Sequence, residues 1–190
     1  MDPWREPEAA KILFCSKELS EVSDFDFALE AVHQLGLVND SAALAIAEMI
    51  DSATTEHTRA ITTRYRKSGP QVTNEVKKQL GIRANSFLSI AAYAELSELG
   101  RKRALDAHEI TLRRAAFHKA KARTLGQCIE YGFDKVRFRP SHRDECEFCR
   151  ENDNVILYVS EISELPISKC SREACSAFIS PYQDYLGRQN

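Results

Sequence analysis

The stretch Leu105–Pro140, LDAHEITLRRAAFHKAKARTLGQCIEYGFDKVRFRP, changes its period partway along. Leu105, Ile110, Leu112, Ala116 and Phe117 recur at helical spacing, with Arg113, Arg114, Lys119, Lys121 and Arg123 set on the outer side. Gly126 is read as the end of that helix. Lys135-Val136-Arg137-Phe138-Arg139 then alternates strictly, which predicts a strand with Val136 and Phe138 on one face, stopped by Pro140. The fold class follows: mainly α, a helical body with a small C-terminal α+β module, a β-hairpin stapled by zinc.

Upstream, the chain reads as helix after helix. Pro7 suits a first turn, with Ala9, Ile12 and Leu13 at helical spacing behind it. Ser23 and Asp24 cap a second helix that stops near Leu35-Gly36. Asp40-Ser41 opens a third, burying Leu44, Ile46, Met49 and Ile50 and continuing towards Arg66. Ser68-Gly69-Pro70-Gln71 breaks the pattern, and Thr73 caps a short helix through Leu80-Gly81. From Asn85 the helical pattern runs to about Leu125, interrupted at Gly100, so one kinked helix or two joined helices fit equally. Its first half is greasy, from Phe87 and Leu88 through Ile90, Ala92 and Tyr93 to Leu96.

Downstream, Val155-Ile156-Leu157-Tyr158-Val159 predicts a second strand, and a short helix is expected over Ala174–Ile179 after Pro166. The organisation is then 1–84, an N-terminal helical segment; 85–126, a long basic helix or helix pair; and 127–190, a strand-rich module carrying four cysteines.

Those cysteines, Cys146, Cys149, Cys170 and Cys175, are spaced C-x2-C-x20-C-x4-C. A C-x2-C turn aims two thiolates at one ion, and a second pair about 20 residues on closes a tetrahedron, so the expectation is one structural zinc. His142, four residues before Cys146, is either a substitute ligand or a surface group that supports the site from outside. Two disulfides are the alternative in an oxidising setting. The N-terminus lacks the basic-then-apolar layout of a secretory signal, and no run of about 18 to 20 apolar residues occurs, so a reducing cytosol and no membrane are expected. Cys15 and Cys128, alone in helical patterns, read as small buried apolar residues.

With 190 residues and a formal net charge of -2, the chain is not a polycation. Basic residues are concentrated instead, at Arg101, Lys102, Arg103, Arg113, Arg114, Lys119, Lys121 and Arg123. Such a run is a solvated helix surface or a contact for DNA or a protein partner. Four cysteine ligands leave a metal no open position, His108-Glu109 does not make the H-x-E of a zinc deaminase, and no Gly-rich phosphate loop, G-x-S-x-G or H-E-x-x-H occurs. A non-enzymatic role is expected.

The order of features has a further meaning. A helix bearing Glu109, Arg113 and Arg114 precedes a short strand, then Cys146-Glu147-Phe148-Cys149, Asn152-Asp153-Asn154-Val155-Ile156, Leu165-Pro166 and another cysteine. Over about residues 105–176 this resembles the C-terminal part of phage minor head proteins, the Mu-F-like head-morphogenesis family. Asn154 stands where that family has a turn glycine, a replacement allowed because asparagine also accepts positive φ. The family's proline–histidine–proline approach is replaced by Pro166-Ile167-Ser168-Lys169-Cys170, with a longer step to Cys175. The resemblance implies a structural or assembly component of a virion, made in the host cytoplasm and oligomeric in the particle, with portal, capsid or neck proteins as partners. The competing expectation is a small zinc-ribbon or treble-clef protein that binds nucleic acid through its basic helix, with Lys135, Arg137 and Arg139 adding to the surface. The aromatics among those basic residues are few, mainly Phe117, Phe133 and Phe138, and Phe117 and Phe138 read as core, which leaves little for base stacking.

Overall fold

A computed structural model describes residues 22–140, 147–162 and 178–183. The expected first helix around Pro7, Ala9, Ile12 and Leu13 lies outside the described residues. The described chain is mainly α-helical with one small antiparallel sheet. It divides into two compact units, Ser23–Ala116 and the described residues from Phe117 onward. The division falls within a single long helix.

The first unit is all helical. Helix α1 (Asp24–Leu35) starts as the sequence predicts: the Ser23 hydroxyl accepts from the Asp26 amide, and the Asp26 carboxylate accepts from the Ser23 amide at 2.8 Å. It ends at Gly36 in the left-handed conformation. Phe27, Ala28, Ala31 and Val32 form its buried stripe. Helix α2 (Ala43–Ile50) packs on α1 with Ala43, Ile46, Met49 and Ile50, after a 3-10 turn at Asp40–Ala42. Leu44 was expected to be buried and is 62% exposed. With the core contacts falling at 43, 46, 49 and 50, residue 44 points the other way.

The polar continuation to Arg66 is a separate element. A 3-10 turn at Ser52–Thr54 ends α2's run, and helix α3 (Thr58–Lys67) begins afresh with the His57 ring accepting from the Arg59 amide. Thr73 caps helix α4 (Asn74–Gln79), as its sequence indicates. The Gln71 side chain then ties the connecting loops, accepting from the Leu88 amide at 2.8 Å and donating to the Arg66 carbonyl.

The region from Asn85 is neither one kinked helix nor two. It contains helix α5 (Ile90–Ala94), helix α6 (Glu98–Arg101) and helix α7 (Ala107–Glu130). Ser89 and Ser97 each cap a fresh start with their hydroxyls. Phe87 and Ile90, read as greasy core, are 47% and 53% exposed, whereas Leu88, Ala92 and Leu96 are buried. The corner between α5 and α6 is laced to the segment after α1: Asn39 donates to the Glu95 carbonyl at 2.8 Å, and the Ser97 hydroxyl donates to the Gly36 carbonyl at 2.6 Å. Gly100 lies against the Leu37 carbonyl, where a β-carbon would come within 2.9 Å of the carbonyl carbon and closer still to its oxygen. Close approach, rather than a kink, explains this glycine.

Gly126 does not end the helical body. It lies inside α7, which runs on to Glu130. The stop is Gly132, with φ of 70°. The Phe133 amide donates to the Cys128 carbonyl at 2.8 Å and the Gly132 amide to that of Ile129, a Schellman closure. The turn releases the chain into the sheet of the second unit.

Strand β1 (Lys135–Arg139) is the centre of that sheet, flanked by β2 (Ile156–Tyr158) and β3 (Phe178–Tyr182), both antiparallel to it. The predicted hairpin is therefore two of three strands. Ile179, expected at the end of a short helix, is in β3; residues 174–177 lie outside the described residues. Pro181 is tolerated because β3 is an edge strand. Val136 and Phe138 are fully buried, as the alternation predicts, and join Leu125, Cys128, Cys149, Leu157 and Ile179 in one core.

Candidate functional site

Of the four predicted metal ligands, Cys149 alone falls within the described residues. Cys146, Cys170, Cys175 and the substitute His142 lie outside them. Cys149 is the third residue of the short helix α8 (Glu147–Glu151) and is 3% exposed, its side chain held in the apolar core behind the sheet with Val136 and Leu157. Among the described residues, no group of three or more His, Cys, Asp or Glu side chains converges on a metal position. Cys128, at the buried end of α7, is apolar core as expected, and burial pushes its thiol pKa up.

The basic residues do not form one helix face. Arg101 is on α6, and Lys102 and Arg103 occupy the turn before α7; all three are exposed. The Arg101 guanidinium lies 5.3 Å from the centroid of the Tyr93 ring. Arg113 turns back to Glu109 at 2.8 Å, a contact one helical turn apart, and Arg59 approaches the same carboxylate at 3.8 Å. Arg114 is half-buried and reaches Gln34 at 3.4 Å. Lys119 and Lys121 are half-buried, and Arg123 is exposed. Arg113 and Arg114 thus serve the packing of the helical unit.

One constellation was not foreseen, and a second adds aromatic rings to three cations that the sequence already offered as a basic surface. The first is partly buried in the helical unit. The Tyr65 hydroxyl of α3 lies 2.7 and 2.8 Å from the two carboxylate oxygens of Glu95, and His108 Nε2 lies 2.8 Å from the same carboxylate. The His108 side chain is fully buried, its ring 5.5 Å from that of Tyr65, and its Nδ1 makes no hydrogen bond among the described residues. Burial, and then the Glu95 carboxylate, push the Tyr65 phenol pKa well up, so it remains a donor. The arrangement ties α3, the α5–α6 corner and α7 together.

The second is the outer face of the sheet. Alternation puts Lys135, Arg137 and Arg139 opposite the core face of β1. Register then sets Tyr158 and Tyr182 on either side of Lys135, Ile156 and Ser180 beside Arg137, and Phe178 beside Arg139. The Lys135 ammonium lies 5.2 Å from the Tyr158 ring centroid and the Arg137 guanidinium 4.7 Å from that of Tyr182. Arg139 donates to the Asn154 side chain at 2.6 Å. Tyr158 and Phe178 are 48% and 54% exposed. The aromatics missing from the basic segments in sequence come from the neighbouring strands. Their signal was present for Tyr158, which shares parity with Ile156, but not for β3, whose Pro181 argues against a strand.

Among the described residues, no helix is long and apolar enough to cross a membrane. No known protein-family model, curated protein or solved structure matches this chain.

Proposed function

We propose that the chain is a non-enzymatic structural or assembly component of a phage or phage-like particle, akin to the minor head proteins and docking near the portal, capsid or neck. The observation that carries this reading is Asn154. The resemblance requires a turn here that glycine ordinarily makes, and Asn154 has φ of 63°, the one non-glycine residue with positive φ among those described. Its amide donates to the Phe138 carbonyl at 3.0 Å, so the turn is fastened to β1 as well as bent. A residue with positive φ between Cys149 and β2 supports the resemblance at that turn.

In this reading the four cysteines hold one structural zinc, with Cys149 as the ligand anchored in the core. Zinc would bind the segments around the sheet to one another and would contribute folding energy directly. The helical unit would supply the docking surface. The protein would be made in the host cytoplasm and would reach its working oligomeric state in the particle.

The test is association with purified portal, capsid or neck proteins of the particle whose genes neighbour this one. Saturable binding to one of them, with a stoichiometry fixed by that assembly's symmetry, is the expected result. A folded, zinc-loaded chain that binds none of the three contradicts the proposal.

A further inference from the structure

We propose that the outer face of the three-stranded sheet binds single-stranded nucleic acid, with Lys135, Arg137 and Arg139 on the phosphates and Tyr158, Phe178 and Tyr182 stacking on bases. The inference goes beyond the particle reading and stands without it. It also moves any nucleic-acid contact away from the basic helix.

Three observations carry it. First, the cations form a row: alternate residues on a strand are about 6.6 Å apart, so the three charges span about 13 Å along the centre of the sheet. Among the described residues none of the three is paired with a carboxylate. Second, the register brings aromatic rings from both neighbouring strands alongside the row, at Tyr158 on one side and Phe178 and Tyr182 on the other. Third, the Tyr158 and Phe178 rings are kept at the surface and Tyr182 is half-buried beside them, while the same strands bury Leu157 and Ile179 on the opposite face.

The chemistry of these groups selects the ligand. An acidic peptide would answer the cations but would make little use of the aromatic surface beside them. A duplex presents phosphates, but its bases are already stacked on one another. A single strand has both free phosphates and free base faces, and stacking tolerates any base. The cation–π contacts hold two cations against two rings before the ligand arrives, which lowers the ordering cost of binding. No base-edge reader is evident in the row, so binding with little sequence preference is expected.

The experiment is fluorescence anisotropy of a labelled 20-nucleotide deoxythymidine strand titrated with the full-length chain between 50 and 200 mM salt. Saturable binding is expected, with log affinity falling against log salt at a slope of about -2, roughly 0.7 for each of three phosphates. Tyr158→Ala, Tyr182→Ala and Phe178→Ala should each weaken binding by about 5- to 100-fold, whereas Tyr158→Phe, which keeps the ring, should not. Arg123→Glu on α7 should leave the affinity unchanged. Because a sheet variant can fail to fold, the wild-type chain is also photo-crosslinked to a strand carrying 5-iododeoxyuridine. Crosslinks at Tyr158, Phe178 or Tyr182 support the proposal. No binding at 50 mM salt overturns it, as does equal affinity for duplex with the alanine variants unaffected, or crosslinking confined to α7.

Discussion

The backbone of Leu37 fills the space where a side chain at Gly100 would begin. Helix α6 sits directly on the segment that leaves α1, with Ser97 bonded to Gly36 and Leu37, and Asn39 bonded to Glu95. Gly100→Ala must therefore separate two backbones that are hydrogen-bonded to each other. We expect a loss of about 3 kcal/mol, at the upper end for overpacking because the obstruction is main chain and cannot swing aside. Urea unfolding followed by far-UV circular dichroism would show it, and an unchanged midpoint would contradict the close approach.

Two glycines of the long helix should respond in opposite directions. Gly126 lies inside α7 with nothing within 4 Å of its absent side chain, and it lacks positive φ. Gly126→Ala should therefore raise stability by up to about 1 kcal/mol. Gly132 holds φ of 70° at the helix stop, and Gly132→Ala should lower stability by about 1 kcal/mol. Thermal unfolding of the pair checks the assignment, and a matching sign for the two substitutions would refute it.

The capping box gives an acid-sensitive contribution. Hydrogen bonds from the Ser23 hydroxyl, and then from its backbone amide, hold the Asp26 carboxyl below its ordinary 3.8. A folded value below the unfolded one means the contribution is present above pH 3.8 and is lost as pH falls through the depressed value. Ser23→Ala should cost about 1 kcal/mol at neutral pH and less in strong acid. The ratio of the two stabilities, from denaturant titrations at pH 7 and pH 2.5, is the readout.

At the alkaline end the sign is reversed. The Tyr65 phenol, raised above its ordinary 10.0, binds its proton more tightly in the folded chain than in the unfolded one. Its contribution is complete below pH 10 and declines as pH rises beyond it. Tyr65→Phe removes the donor to Glu95 and should cost about 1.5 kcal/mol at pH 7, with the difference from wild type shrinking above pH 10. A pH-independent difference across that range would mean that the hydroxyl contributes through packing alone.

Much of the fold was legible where a single residue dictates the local backbone. Ser23, Thr73 and Gly36 mark helix ends through their own hydrogen bonds or φ, and β1 is fixed by the alternation of Val136 and Phe138. What failed depended on distant partners. Gly100 looks like a kink until Leu37 is beside it, and Gly126 looks like a stop although Gly132 is the residue with the left-handed turn. β3 was hidden because Pro181 is acceptable only on an edge strand, and sheet order is not written in local sequence. The same blindness hid the rings of the outer face: its cations alternate along one strand, but its rings arrive through register. Nothing in the local sequence links His108 to Glu95, since only the packing of the helical unit brings them together.

The proposed zinc clamp on the sheet unit is tested most directly by the zinc content of the purified chain, measured by elemental analysis together with a Cys149→Ser variant. We predict about one zinc per wild-type chain. The variant should lose the metal and the near-ultraviolet signal of the tyrosines around the sheet, while the helical far-ultraviolet signal largely persists. A metal-free wild-type chain with its thiols unpaired and a stability unchanged by Cys149→Ser would contradict the account.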